Sequence, residues 1–138
     1  MCDTSNIYIQ NLVTGNNSEG GSNLIAYSIV NDPINVYNTA YEIVGRIAWD
    51  AVRYSTYTSG VIIINVTLPG ANNLEVEIIS PAGPPVLGSG TITGSGTSII
   101  SLTSLPVGNS YIEVLVRRTT ADVIIPRING ISLEFTIL

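Results

Sequence analysis

The chain contains no lysine and no histidine, and its only cysteine is Cys2. Without imidazole, the commonest general base and the commonest metal ligand are missing. Without lysine there is no Schiff-base chemistry and no phosphate-loop amine. Serine and aspartate are plentiful, yet nothing can complete a Ser-His, Cys-His or Ser-Lys pair. A lone cysteine forms no internal disulfide, which excludes a disulfide-stapled secreted module. Charged residues make up 11% of the 138 residues, less than half the usual ~25%. All five basic residues are arginines, and the net charge of −5 opposes binding to a phosphate backbone. The longest apolar run, Val61 to Ile64, is far short of the ~20 residues that span a bilayer. These absences predict a protein that is not an enzyme, with no cofactor, no metal site, and neither nucleic acid nor membrane as partner.

What remains is an apolar fraction of 45%, enough for a sizeable core in one domain. It sits in a background of Ile, Val, Thr, Ser, Asn and Gly that is typical of cell-surface proteins. Residues 1–23 carry neither a positive segment nor a continuous apolar stretch, so no signal peptide is expected. A surface-type composition without a secretion signal points to synthesis in a cytoplasm and use on a spore or virion surface.

Along the chain no 3.6-residue apolar period appears, while period-two and β-branched runs recur. The expected strands are Asn6–Thr14, Leu24–Val30, Ile34–Val44, Ile47–Thr58, Val61–Leu68, Leu74–Ile79, Val86–Thr93, Ile99–Leu105, Ser110–Arg117, Val123–Ile128 and Ile131–Leu138. Turns are expected at Asn31-Asp32-Pro33, Pro69–Asn73, Ser80–Pro85, Gly94–Thr97 and Leu105–Asn109. Asn129-Gly130 is the strongest two-residue hairpin signal. Strands at this spacing without helices predict an all-β, antiparallel two-sheet β-sandwich, jelly-roll-like, with an N-terminal extension. Trp49, Phe135 and the Ile/Val faces should form its core.

Few side-chain groups suggest chemistry. Glu75 and Glu77 share a strand face, and Glu113 and Glu134 are candidates to join them; paired carboxylates serve acid–base work or calcium. The simpler reading is a solvated sheet face. Gly88-Ser89-Gly90-Thr91 repeats as Gly94-Ser95-Gly96-Thr97, but a phosphate cradle needs a following helix and usually a lysine; a duplicated hairpin or loop is expected. Asn16-Asn17-Ser18 and Asn65-Val66-Thr67 match the glycosylation sequon, as chance matches would in this composition. Tyr8, Tyr27, Tyr37, Tyr41, Tyr54, Tyr57 and Tyr111 with Trp49 offer either a sugar-stacking platform or ordinary packing. Arg117-Arg118 near Asp122 predicts a local surface ion pair.

The N-terminus carries the main functional expectation. Residues 1–23 are expected to be a connector, with a donor strand at 6–14 and a flexible linker at 15–23, ahead of a sandwich domain at 24–138. The linker Gly15–Asn23 extends about 30 Å at ~3.3 Å per residue, so the strand can reach another subunit. Ile7, Tyr8, Ile9, Leu12 and Val13 are the assembly residues, since an acceptor takes alternate side chains in pockets. Burying Ile7, Ile9, Leu12 and Val13 at ~1.5–3 kcal/mol each contributes roughly 6–12 kcal/mol before association costs. Cys2 is then placed for an intermolecular disulfide or an anchor. Pairing of strand 6–14 within its own sheet is the alternative.

The leader Met1-Cys2-Asp3-Thr4-Ser5, the Gly15–Asn23 spacer, the β-only body and Val116-Arg117-Arg118 before the expected last hairpin resemble the fibre-forming endospore appendage (Ena-type) subunits. The resemblance implies a jelly roll whose N-terminal connector docks into neighbours, giving a head-to-tail homopolymer with an anchoring protein at the fibre base. The covalently linked members carry several cysteines, so one cysteine implies joints held mainly by non-covalent strand exchange. The alternative from a different class is a glycan-binding or virion/spore head module.

Overall fold

The computed structural model describes residues 23–50, 57–70, 72–81 and 86–137. The strands are β1 (Asn23–Val30), β2 (Ile34–Asn35), β3 (Glu42–Trp49), β4 (Tyr57–Thr67), β5 (Leu74–Ile79), β6 (Val86–Ile92), β7 (Gly96–Ser101), β8 (Ser110–Arg118) and β9 (Arg127–Ile137). No helix occurs among the described residues. Sheet one has the order β1-β9-β4-β7, with β2 also on β9; sheet two has the order β3-β8-β5-β6. All pairings are antiparallel. Apart from the β1–β2 kink and the β5–β6 hairpin, successive strands lie in opposite sheets, which is the jelly-roll arrangement.

Period-two patterning builds the core. Leu74, Val76 and Ile78 of β5, Ile112, Val114 and Val116 of β8, Ile62, Ile64 and Val66 of β4, and Ile131, Leu133 and Phe135 of β9 are all buried between the sheets. Trp49 and Phe135 meet with ring centroids 5.2 Å apart, and Tyr27 packs edge-on to Phe135 at 6.3 Å. Alternating inward side chains from two sheets account for this single layer.

Several strand expectations are corrected. Ile34–Val44 is not one strand: β2 is only Ile34–Asn35, and β3 starts at Glu42. Asn129-Gly130 does not turn a hairpin: β9 runs continuously from Arg127 to Ile137, and the dipeptide is a register shift opposite Val66 and Asn65. The strand is central, paired to β1 on one side and β4 on the other, so the extra residue is absorbed as a bulge. Asn129 turns its amide to Asn65 Oδ1 (2.9 Å) and Thr67 Oγ1 (3.1 Å). Val123–Ile128 is not a strand either; only Arg127 and Ile128 join the ladder. Pro126 has no N–H to give a central strand. Finally, the expected break near Gly45 is absent. β3 crosses it with a register shift between Ile43 and Gly45. A Cβ at Gly45 would lie 2.5 Å from Ile29 Cγ2, so glycine there lets β3 approach β1 across the open side of the sandwich.

The strands define two ends. At the proximal end β1 begins, β9 finishes, and β3, β5 and β7 terminate; at the distal end β2, β4, β6 and β8 terminate.

Candidate functional site

The outer face of sheet two brings five charged residues together, Arg46, Glu75, Glu77, Glu113 and Arg117. Its rungs run Arg117–Glu75–Thr91 and Ile43–Leu115–Glu77–Ser89, with Arg46–Glu113–Ile79 beyond. Arg46 Nε donates to Glu113 Oε2 at 3.0 Å, and Arg117 Nε donates to Glu75 Oε1 at 2.8 Å. The Glu75 hydrogen bond raises the Arg117 pKa further above its ordinary value. Glu77 makes no ion pair with a described residue. Glu134 does not join the group, because β9 belongs to the other sheet. Each is paired to an arginine, Glu75 at a half-exposed position and Glu113 at a buried one, so both carboxylates are charge-balanced. Among the described residues no three His, Cys, Asp or Glu side chains gather as metal ligands.

The tyrosines do not share one platform. Tyr27 faces the core, while Tyr41 and Tyr111 lie under guanidinium groups, with Arg117 Cζ 5.0 Å and Arg46 Cζ 4.4 Å from their ring centroids. Trp49 is buried. Tyr8 and Tyr54 lie outside the described residues, as does the side chain of Tyr57. Beside Tyr41 there is a shallow polar concavity of about 270 Å³, bordered by Glu75, Glu77, Ser89 and Thr91.

The duplicated Gly-Ser-Gly-Thr is structural and is not a hairpin within one sheet. The first copy lies in β6 of sheet two; the second carries the chain over to β7 of sheet one. Gly88 sits against the Ser101 carbonyl and Gly96 has φ +117°. Ser95 Oγ accepts the Leu68 N–H at 2.7 Å, pinning the crossing. The Asn65 sequon occupies the last three residues of β4, where the Asn65 amide donates to Thr97 Oγ1 at 2.9 Å. The Asn16 sequon lies outside the described residues.

The distal end holds the arrangement that sequence reading missed. Arg118 is buried and makes no side-chain ion pair with Asp122. It donates from Nε to the Tyr37 carbonyl (2.8 Å) and from Nη1 to the Asp122 carbonyl (2.6 Å). Buried Asn72 donates to the Ile124 carbonyl at 3.2 Å, and Val36 N donates to the Pro126 carbonyl at 2.8 Å. The Asp122 carboxylate accepts the Val123 N–H at 2.6 Å. With main-chain groups held inward, Val123, Tyr37 and Ile124 are left 92%, 57% and 48% exposed. The proline four residues after Asp122 was the available signal, since it demotes an apolar run from strand to loop.

Ile7, Tyr8, Ile9, Leu12, Val13 and Cys2 lie outside the described residues.

No protein-family model matches this sequence, and no curated protein matches it. Among solved structures, the chain is similar to a subunit of the disulfide-linked pili that form Bacillus endospore appendages. That alignment has 9% identity, covers 90% of this chain and 97% of the other, and has a TM-score of 0.48. It is also similar to a protein of the infectious bursal disease virus Gx strain, with 10% identity over 86% of this chain and 32% of that one (TM-score 0.49). A third is the carbohydrate-binding module CBM36, with 16% identity over 73% of this chain and 77% of that one (TM-score 0.43).

Proposed function

We propose that this chain is a non-enzymatic structural subunit that self-assembles head to tail into a fibre on a spore or virion surface. In this reading strand 6–14 of one copy enters a neighbouring sandwich, and Cys2 is the residue for an intermolecular disulfide or an anchor at the fibre base. The observation that carries the reading is where the chain enters its body. β1 is an edge strand of sheet one and begins at the proximal end with Asn23. By sequence, segment 6–14 precedes β1 across the Gly/Ser/Asn-rich stretch Gly15–Asn23 rather than across a two-residue hairpin signal. Strand addition to a sandwich supplies main-chain hydrogen bonds and side-chain pockets together, and a heterologous contact that does not close yields a filament. Lack of lysine and histidine supports a non-catalytic role.

Deleting residues 1–14 and imaging the product by negative stain tests this. Loss of filaments with the β-sheet spectrum retained is expected, and unchanged filaments would refute strand exchange. The glycan-binding alternative has one observation in its favour, the polar concavity beside Tyr41. Saturable, Tyr41-dependent binding on a glycan array by a non-filamentous protein would favour that reading instead.

A further inference from the structure

Resting on the strand-exchange reading, we infer that segment 6–14 of one copy adds to the free edge of β7 (Gly96–Ser101) in a second copy. The two sheets present four edge strands, β1 and β7 in sheet one and β3 and β6 in sheet two. Soluble proteins blunt such edges with bulges, charges or covering segments, because unpaired main-chain groups otherwise recruit another strand. Three of the four edges are blunted. β3 has a register shift between Ile43 and Gly45 and carries Glu42 and Arg46. β6 has a register shift between Val86 and Gly88, and its Leu87 carbonyl accepts the Thr103 N–H at 2.7 Å. β1 has a register shift between Ser28 and Val30, where Gly45 of β3 packs against it. β7 instead pairs with β4 in unbroken register, from Val61↔Ser101 to Val66↔Gly96, and its sequence GTSIIS has no charge and no proline.

The ladder fixes which groups are open. Leu102 N donates to the Gly60 carbonyl at 2.9 Å, so these two residues form a hydrogen-bonded pair. Such pairs alternate along an antiparallel ladder. Ile100 and Ser98 therefore bond to β4, while the N–H and C=O of Ser101, Ile99 and Thr97 point away from it. The Ser101 carbonyl lies against Gly88, which leaves Ile99 and Thr97 as the open stretch. The Ile99 side chain is 65% exposed and sits opposite Ile63 on the outer face. An added strand thus gains main-chain bonds and an apolar cross-strand contact at one place. Segment 6–14 (NIYIQNLVT) suits this edge: it has no charged residue, and Ile7 and Ile9 share a face when extended. The surroundings are equally neutral, with Thr97, Ile99 and Ser101 of β7 beside Val61, Ile63 and Asn65 of β4. Nine residues are enough to cover the six of β7. Segment 6–14 joins the body through β1, at the opposite edge of sheet one from β7. Donor and acceptor are different surfaces, so the contact is heterologous and repeats into a filament.

The test uses the full-length chain carrying Cys2→Ser. Ile99→Pro removes the outward N–H without touching a bond to β4, and Ile99→Lys keeps that N–H but adds a charge to the edge. Each should reduce filament mass at least tenfold by sedimentation and negative stain, with the far-UV spectrum unchanged. Should the proline disturb the spectrum, the lysine variant decides alone. Wild-type filament mass from a folded variant overturns the assignment. In parallel, tagged chains with Ile7→Cys or Ile9→Cys are mixed with untagged Ile99→Cys chains and oxidised with diamide. At least one mixture should give a disulfide between tagged and untagged chains. Disulfides between Ile99→Cys chains alone would mean that β7 pairs with β7. A chain carrying both Ile9→Cys and Ile99→Cys that closes only on itself would place the segment on its own sheet. Either result, or no disulfide, overturns the proposal. If the 1–14 deletion abolishes filaments while the Ile99 variants keep them, strand exchange stands and only the acceptor edge is wrong. If the deletion also polymerises, both fall.

Discussion

Replacing Gly88 and Gly94 separately by alanine should give opposite results, although both open the same Gly-Ser-Gly-Thr sequence. A Cβ at Gly88 would lie 2.7 Å from the Ser101 main-chain oxygen, against 3.4 Å for ordinary contact. The edge strand β6 would have to retreat by about 0.7 Å, the difference of those two values. That shift pulls on the Thr103 N–H bond to the Leu87 carbonyl, now 2.7 Å. Overpacking costs about 1–3 kcal/mol, and a weakened hydrogen bond adds about 0.5–1.5 kcal/mol. At about 4 °C per kcal/mol for a domain of this size, a loss of about 2–4 kcal/mol lowers Tm by roughly 8–16 °C. Nothing lies within 4 Å of a Cβ at Gly94. Gly94→Ala removes only unfolded-chain freedom and should leave stability unchanged or raise it by about 0.4–1 kcal/mol. Thermal unfolding of dilute, unassembled protein, followed by circular dichroism, is the assay. Indistinguishable melting of the two variants would refute the claim that the first glycine serves sheet closure and the second only the crossing.

Phe135→Ala removes the ring that packs on both Trp49 and Tyr27; urea unfolding should show a loss of about 3–5 kcal/mol. The Arg46–Glu113 pair should respond unequally, because the Arg46 side chain is half exposed while that of Glu113 is buried. Arg46→Met strands a buried carboxylate and should cost about 2–3 kcal/mol. Glu113→Leu leaves only an exposed arginine and should cost less than about 1 kcal/mol. Equal losses in the two variants would contradict this account.

Much of the sandwich was legible because alternation is a local property. Leu74–Ile79 alternates apolar and acidic residues, and the folded strand has those bounds and that inward face. Ser110–Arg117 was readable for the same reason, and Val61–Leu68 from its run of β-branched residues. The errors fall where a local signal had two tertiary outcomes. Asn-Gly tolerates a hairpin turn or a bulge, and the choice depended on β1 and β4 flanking β9 on both sides. Arg117 and Arg118 are adjacent, yet one reaches Glu75 across the sheet while the other goes beneath the distal loops. The exposure of Val123 and Ile124 at the distal end was invisible because valine and isoleucine look like strand residues in sequence.

By itself, then, the sequence excluded histidine- and lysine-based chemistry, set the all-β class, and chose which strand faces are apolar, since composition and period-two patterning need no partner to be read. Only the tertiary structure decided which strands pair, which glycines face a backbone, and which apolar residues stay outside. Those outcomes depend on contacts between residues far apart in the chain. Arg118 holding the carbonyls of Tyr37 and Asp122 is the clearest case: a charge that reads as a surface ion pair in sequence becomes the buried support of an exposed apolar surface.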